Sequence, residues 1–239
     1  MKFIFDPRRL DDIATRESER YQMAAPFPHI VIDDFIEEKA AQAILENFPR
    51  AEDDAGWDRY AAAGFEMKLS SSNEEKLPAP ICMAMHQLNS GPFVDFLEKL
   101  TGIEHLLPDP HLFGGGAHLV GRGGHLGVHA DFNWHPRLHA HRRINLLLYF
   151  NRDWQDAWQG DLELWATDAS HRVASIAPLF NRAVIFNTRS DTFHGHPRPL
   201  EIPEGEYRRS LAMYYYSAER PEAELMAPHN TRYKGYHVD

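Results

Sequence analysis

Three residues far apart along the chain can share one piece of chemistry. His129 and Asp131 stand two apart, and His194 and His196 follow much later. Two imidazoles and one carboxylate are the donor set of a non-haem iron(II) site. Three protein donors on one face leave three positions for a bidentate cosubstrate and dioxygen. Beyond the late histidines lies Arg208-Arg209-Ser210, and a guanidinium is a fixed fork of donors suited to a carboxylate. A bare His-x-Asp is common and says little alone. The order His-x-Asp, late His, Arg-x-Ser gives it weight.

The 15 histidines crowd between His105 and His196, which favours metal chemistry and also supplies decoys. His194 and His196 both precede Arg208 by a workable interval, and either completes the set. His135, His139 and His141 fall in a stretch that reads as a solvated loop. His118 and His125 flank a glycine-rich stretch, either lining a mouth or capping a turn.

Strand geometry is what makes the spacing meaningful. Side chains two apart on a strand point to one side, so His129 and Asp131 reach one metal together. Gly195, beside the late histidines, permits a close backbone approach. On the run Arg208 to Tyr216, Arg208, Ser210, Ala212 and Tyr214 share a face, and the small side chains leave room for a ligand. On the run Arg143 to Asn151, Asn145, Leu147 and Tyr149 share a face. Asn and Tyr there can hydrogen-bond a diacid while Leu147 packs its methylenes.

Those strands need a frame. From about residue 111, β-like runs alternate with Gly, Asn, Asp and Pro clusters, at 117–120, 126–131, 143–150, 161–165, 172–176, 183–187, 192–196 and 207–216. Eight short strands suggest a jelly roll or barrel. Residues 1–110 read as mainly helical, with helices expected at Glu37–Asn47 (Asp33 or Asp34 near its start), Ile81–Leu88 and Phe93–Leu100, and a short strand at 26–32. The expected fold is mainly β with flanking helices, a double-stranded β-helix (jelly roll, cupin-like). One domain, 1–239, is expected: a helical part of about 1–110 packed on a core of about 111–217, then a C-terminal tail. The polar segment Trp57 to Ser72, with Tyr60, Glu66 and Lys68, reads as an irregular lid or surface loop.

Composition narrows the partners. At 239 residues and 43% apolar, the chain can bury a sizeable core. Its net charge of −10 repels phosphate backbones, so nucleic acid is not an expected partner. The longest apolar stretch, Ile144 to Phe150, is too short to cross a bilayer, so no membrane is expected. The start Met1 to Pro7 breaks too soon for a secretory signal. The single cysteine, Cys82, excludes a disulfide framework and a thiolate cluster, reads as a small buried hydrophobe, and suits the cytoplasm. Neither Gly114-Gly115-Gly116 nor Gly121-Arg122-Gly123-Gly124 completes a dinucleotide fingerprint or a P-loop. His-Glu-x-x-His and Gly-x-Ser-x-Gly are missing.

Taken in order, Gly124 to Asn133, Arg143 to Trp154, Gly160 to Trp165, Ala183 to Asn187, Phe193 to His196 and Arg208 to Tyr216 resemble the iron(II)- and 2-oxoglutarate-dependent oxygenases, in particular the prolyl-hydroxylase-like branch. The resemblance covers roughly 111–217. It implies His129, Asp131 and His194 as iron ligands and as the catalytic centre. It implies Arg208 on the distal carboxylate of 2-oxoglutarate, with Ser210 and Tyr149 assisting and Asn145 and Leu162 lining the pocket. Gln159 stands where the family usually has a glycine. Related halogenases lack the carboxylate, so Asp131 favours hydroxylation of an unactivated C–H bond. Iron(II), 2-oxoglutarate and dioxygen are the implied cofactors, with ascorbate as a candidate reductant. A protein residue, an amino acid or a small metabolite all fit as substrate. The rival readings are a cupin-type metalloenzyme that does not use 2-oxoglutarate, and a non-catalytic binding or sensing domain.

Overall fold

Strands apolar on both faces organise this molecule, which a computed structural model describes over residues 3–62 and 65–234. In chain order the elements are α1 (Pro7–Gln22), β1 (His29–Ile32), α2 (Glu38–Glu46), β2 (Asp58–Ala62), β3 (Glu66–Ser71), α3 (Ala79–Leu88), α4 (Gly91–Thr101), β4 (Leu107–Pro108), β5 (Gly116–Val120), β6 (His125–Ala130), β7 (Trp134–His135), β8 (Ala140–Tyr149), β9 (Leu162–Trp165), β10 (Arg172–Ile176), β11 (Arg182–Asn187), β12 (His194–His196), β13 (Arg208–Ser217) and β14 (Arg232–Tyr233). All eight strands expected from the sequence are present, and every pairing is antiparallel.

The hydrogen-bonded order is β1-β11-β8-β13-β5-β3-β6-β12-β9-β10, with β2 on β3, β4 on β13, β7 on β8 and β14 on β6. The sheet curls into a jelly roll, so that β6, β9 and β12 face β5, β8 and β13 across a cavity which all six line.

Alternation decides which side chain goes where. On β8, Ile144, Leu146 and Leu148 join the large core beneath the helices, together with Leu211, Met213 and Tyr215 of β13. The intervening Leu147 and Tyr149 turn inward, against Leu162, Leu164, Val184 and Phe186. Each such Leu or Ile removed from water contributes roughly 1.5–3 kcal/mol, which fixes the register and hence the inward face.

Helix α1 received no assignment from the sequence. Asp6 caps it by accepting from the Arg8 N–H, a proline follows the cap, and Leu10, Ile13, Ala14 and Tyr21 are buried. The start of α2 is Glu37, whose side chain makes no cap bond, rather than Asp33 or Asp34; Asp33 instead holds Arg182 through both carboxylate oxygens. The helix α4 stops at Gly102 with φ 71°.

Two further expectations are corrected. The segment Trp57 to Ser72 is not irregular: β2 and β3 form a hairpin, and β3 pairs with both β5 and β6. Its pairing, rather than an apolar alternation, makes it a strand: Met67 is exposed while Ser70 and Ser71 are buried. Residues 63 and 64 of that segment lie outside the described residues. Cys82 is half-buried rather than buried, its thiol near the carbonyls of Glu74 and Leu77. Among the described residues no helix is long and apolar enough to cross a membrane.

Candidate active site

Strand β6 delivers His129, and Asp131 follows directly on it; β12 delivers His194. β12 pairs with β6 so that His194 stands opposite His129. The ligand-type atoms of His129, Asp131 and His194 lie within 4.8 Å of one another, and all three residues are buried. His129 Nε2 is 3.4 Å from Asp131 Oδ1, and His194 Nε2 is 3.4 Å from Asp131 Oδ2.

The other ring nitrogens explain why the Nε2 atoms are free. His129 Nδ1 is 2.7 Å from the carbonyl oxygen of Gly127, and His194 Nδ1 is 3.1 Å from that of Thr192. Each Nδ1–H donates to a carbonyl, so each Nε2 offers a lone pair to the common point. Burial pushes His194 down to about 4, against the pull of the Asp131 charge, and its imidazole is therefore neutral at pH 7. Burial alone would raise Asp131, but Arg142, His194 and His129 overturn that and hold its carboxyl well below the usual range. Two imidazoles that turn their Nε2 atoms to a common point, and a carboxylate between them, fit a divalent metal ion.

The structure brings His194, and not His196, into this cluster. His196 instead lines the inner cavity with His118, and each carries a buried ring nitrogen with no protein partner, Nδ1 in His196 and Nε2 in His118. Two decoy histidines depart from the solvated-loop expectation. His135 is buried, accepts from the N–H groups of Arg137 and Leu138, and sets Nε2 3.3 Å from Asp109 Oδ1; His141 is half-buried. His139 is exposed, as expected.

Behind the cluster lies a cavity of about 70 Å³, lined by Asn145, Leu147, Leu162, Arg208 and Ser210 among others. That holds on the order of five water-sized spheres. Arg208 is 5% exposed. Its Nε donates to the Gly160 carbonyl at 2.7 Å and one Nη to the Tyr149 hydroxyl at 3.2 Å, which aims the rest of the fork inward. Tyr149 thus touches Arg208, while Ser210 stands directly between Tyr149 and His118 across three strands.

Arg142 is the residue that sequence reasoning missed. Strict alternation from Asn145 sends it toward the helices, yet β8 carries an irregularity: Tyr215 faces Ile144 while the next residue, Tyr216, faces Arg142. The extra residue turns Arg142 inward. Its guanidinium reaches Asp131 Oδ2 at 3.1 Å and donates twice to Asn145 Oδ1, at 3.0 and 2.6 Å, and Asn145 donates to the same Asp131 oxygen at 2.8 Å. The guanidinium stacks on Tyr214, 3.5 Å from the ring centre. The sequence shows Arg142 beside Arg143 and carries no mark of the bulge there.

Residues 115–216 match the sequence model of the 2OG-Fe(II) oxygenase superfamily. No curated protein matches the chain. Among solved structures, a Trichoplax adhaerens prolyl hydroxylase in complex with a hypoxia inducible factor peptide fragment is 15% identical, with a TM-score of 0.62 over 88% of this chain and 90% of its own. A Phytophthora capsici prolyl 4-hydroxylase is 22% identical, with a TM-score of 0.60 over 91% of this chain and 68% of its own. A Pseudomonas putida prolyl-4-hydroxylase is 13% identical, with a TM-score of 0.59 over 86% and 99%. The match over 115–216 and the metal-type cluster are similar to those of the iron(II)- and 2-oxoglutarate-dependent dioxygenases. Within that class the fold is of the prolyl-hydroxylase-like kind.

Proposed function

We propose that the protein is an iron(II)- and 2-oxoglutarate-dependent dioxygenase that hydroxylates an unactivated C–H bond, with iron(II) held by His129, Asp131 and His194. Arg208 binds the distal carboxylate of 2-oxoglutarate, assisted by Ser210 and by Tyr149, with Asn145 and Leu162 lining the same pocket. The observation that carries the reading is the convergence of three buried donors beside a cavity whose far end holds a buried guanidinium. A cupin-type enzyme working without 2-oxoglutarate would not need Arg208 in that position.

When bound, the iron with 2-oxoglutarate and dioxygen supplies the oxidation: one oxygen atom enters the substrate C–H bond, the other enters succinate, and carbon dioxide leaves. The chain's own part is positional. The carbonyls of Gly127 and Thr192 fix both imidazoles by their Nδ1–H groups. Asn145 and Arg142 occupy one oxygen of Asp131 and leave the other toward His129. The Gly160 carbonyl and the Tyr149 hydroxyl aim Arg208. Leu147 and Leu162 keep the inner cavity dry. We place the enzyme in the cytoplasm. We also read it as one domain, the helical part of about 1–110 backing the jelly roll; Tyr21 donating to Asn187, and Asn181 bonding both backbone groups of Ile36, support the single domain.

Anaerobic titration with iron(II) and then 2-oxoglutarate tests the assignment. A visible charge-transfer band is expected, together with slow succinate release in air. Metal binding without a band would reject the 2-oxoglutarate role, and no metal binding at all would reject the site.

A further inference from the structure

The metal cluster faces a second, outer cavity of about 360 Å³, of the size that holds one small molecule. Its walls include the rings of Tyr60, Phe113, Phe132, Tyr214 and Tyr233. Its charges come in matched pairs. Arg142 is committed to Asp131 and Asn145. Lys68 Nζ lies 2.9 Å from Glu66 Oε1, and these two side chains are 14% and 12% exposed. The second Glu66 oxygen accepts from the Tyr233 hydroxyl at 3.0 Å. The Tyr60 ring lies under the Lys68 ammonium, 5.2 Å away.

Two consequences follow. First, adjacent plus and minus charges on the wall of a small cavity suit a ligand carrying both signs at the same spacing. A residue inside a polypeptide carries neither, because both of its backbone ends are amides. Aromatic rings around the pair favour an ammonium further. Second, the outer edge of β6 is not free to take an extended peptide as an added strand. Glu66 and Met67 pair with Leu126 and His125; the Gly127 N–H donates to the Phe65 carbonyl; the Lys234 N–H donates to the Val128 carbonyl; Tyr233 and Arg232 pair with His129 and Ala130. The chain's own hairpin and C-terminal strand cover that edge from His125 to Ala130.

Resting on the oxygenase reading above, we propose that the outer cavity takes a free, zwitterionic α-amino acid as the substrate, its carboxylate on Lys68 and its ammonium on Glu66. Net neutrality, a compact body and an apolar side chain directed along the aromatic walls toward the metal are the recognised features.

The test is calorimetry on the full chain loaded with nickel(II) and 2-oxoglutarate. The probes are the twenty free L-α-amino acids, their N-acetyl and amide derivatives, and blocked pentapeptides with the same residue at the centre. At least one free amino acid is expected to bind ten-fold or more tightly than its own N-acetyl and amide forms, and than the peptide. Glu66→Gln and Lys68→Met are each expected to weaken it ten-fold or more, and Tyr233→Phe, a milder change that keeps the packing, a few-fold. Equal or tighter binding of a pentapeptide, no binding of any free amino acid, or unchanged affinity in Tyr233→Phe and Glu66→Gln overturns the proposal. If 2-oxoglutarate itself fails to bind the metal-loaded protein, the oxygenase reading fails instead, and the amino-acid titration on the nickel form alone still decides this one.

Discussion

Asp131 has more partners than a metal donor requires. Asn145 and Arg142 both reach Oδ2, and the Arg142 guanidinium is itself clamped against the Tyr214 ring. A carboxylate so pinned cannot swing away, and it stays ionised. Arg142→Met should therefore weaken metal binding several-fold or more while leaving the three donors in the chain; competition against a colorimetric chelator reads it, and unchanged affinity would mean that the clamp is only structural. His194→Ala and His129→Ala should each abolish stoichiometric metal uptake and lower succinate formation at least a hundred-fold. His196→Ala should keep the metal, because its ring lies outside the donor cluster; loss of metal there would show that the ligand set is wrong. At the other end of the inner cavity, charge-assisted hydrogen bonds of about 1.5–3 kcal/mol are at stake. Arg208→Met should raise the 2-oxoglutarate concentration needed for half-maximal turnover ten-fold or more, with metal affinity unchanged.

Strands carry both histidine donors and Asp131 follows directly on one, and their contacts are close. Gly195 separates two histidines on β12, and a Cβ there would lie 2.6 Å from the Gly127 carbonyl oxygen and 2.7 Å from that of Leu126. Both are backbone atoms of the strand that carries His129, so β12 would have to move off β6. Gly195→Ala should cost on the order of 1–3 kcal/mol by overpacking and misplace His194. Metal affinity should fall with the far-ultraviolet spectrum preserved; a metal affinity equal to the parent's would show that the strand accommodates the methyl. This glycine was legible in the sequence as a place of close approach, and so were the eight strands, because buried two-faced strands leave long Ile, Leu and Val runs. Helix α1 also left its marks, Asp6-Pro7 and a spaced apolar set, but they are short and charge-rich around. The hairpin β2–β3 was hidden because Glu66 and Lys68 satisfy each other, so a polar stretch could enter the fold as a strand. Arg142 was hidden for a different reason: a bulge resets alternation, and no residue type in Arg142-Arg143-Ile144 announces one.

At the scale of the whole molecule, the buried histidines give the protein an acid sensitivity. His118, His194 and His196 are each 9% exposed or less. Burial is the first cause that lowers all three; Lys68 and Arg208 add to it at His118, and Arg208 and Lys68 at His196, while His194 reaches about 4. A histidine whose folded form resists protonation contributes stability above the unfolded value near 6.5, and that contribution is lost as pH falls toward the folded value. Asp131 works in another window: its carboxyl is lowered, so its contribution is kept down to about pH 4 and lost below. Between pH 7.5 and 5.5, then, the imidazoles dominate, each costing about 1 kcal/mol as the unfolded chain takes up protons that the folded chain refuses. Urea unfolding of the metal-free chain should show a clear drop in midpoint across that interval. The variant His118→Gln/His196→Gln removes two of the five histidines that burial lowers, His141 and His229 being less deeply buried, and leaves the donor cluster untouched; it should shallow the drop measurably. Bound nickel(II) should raise the midpoint at every pH without flattening the drop, because a metal that binds only the folded state adds its own binding free energy there and keeps its imidazole donors unprotonated. A pH slope identical in parent and double variant would place the acid sensitivity elsewhere and would mean that these two rings find proton-accepting partners in the folded chain.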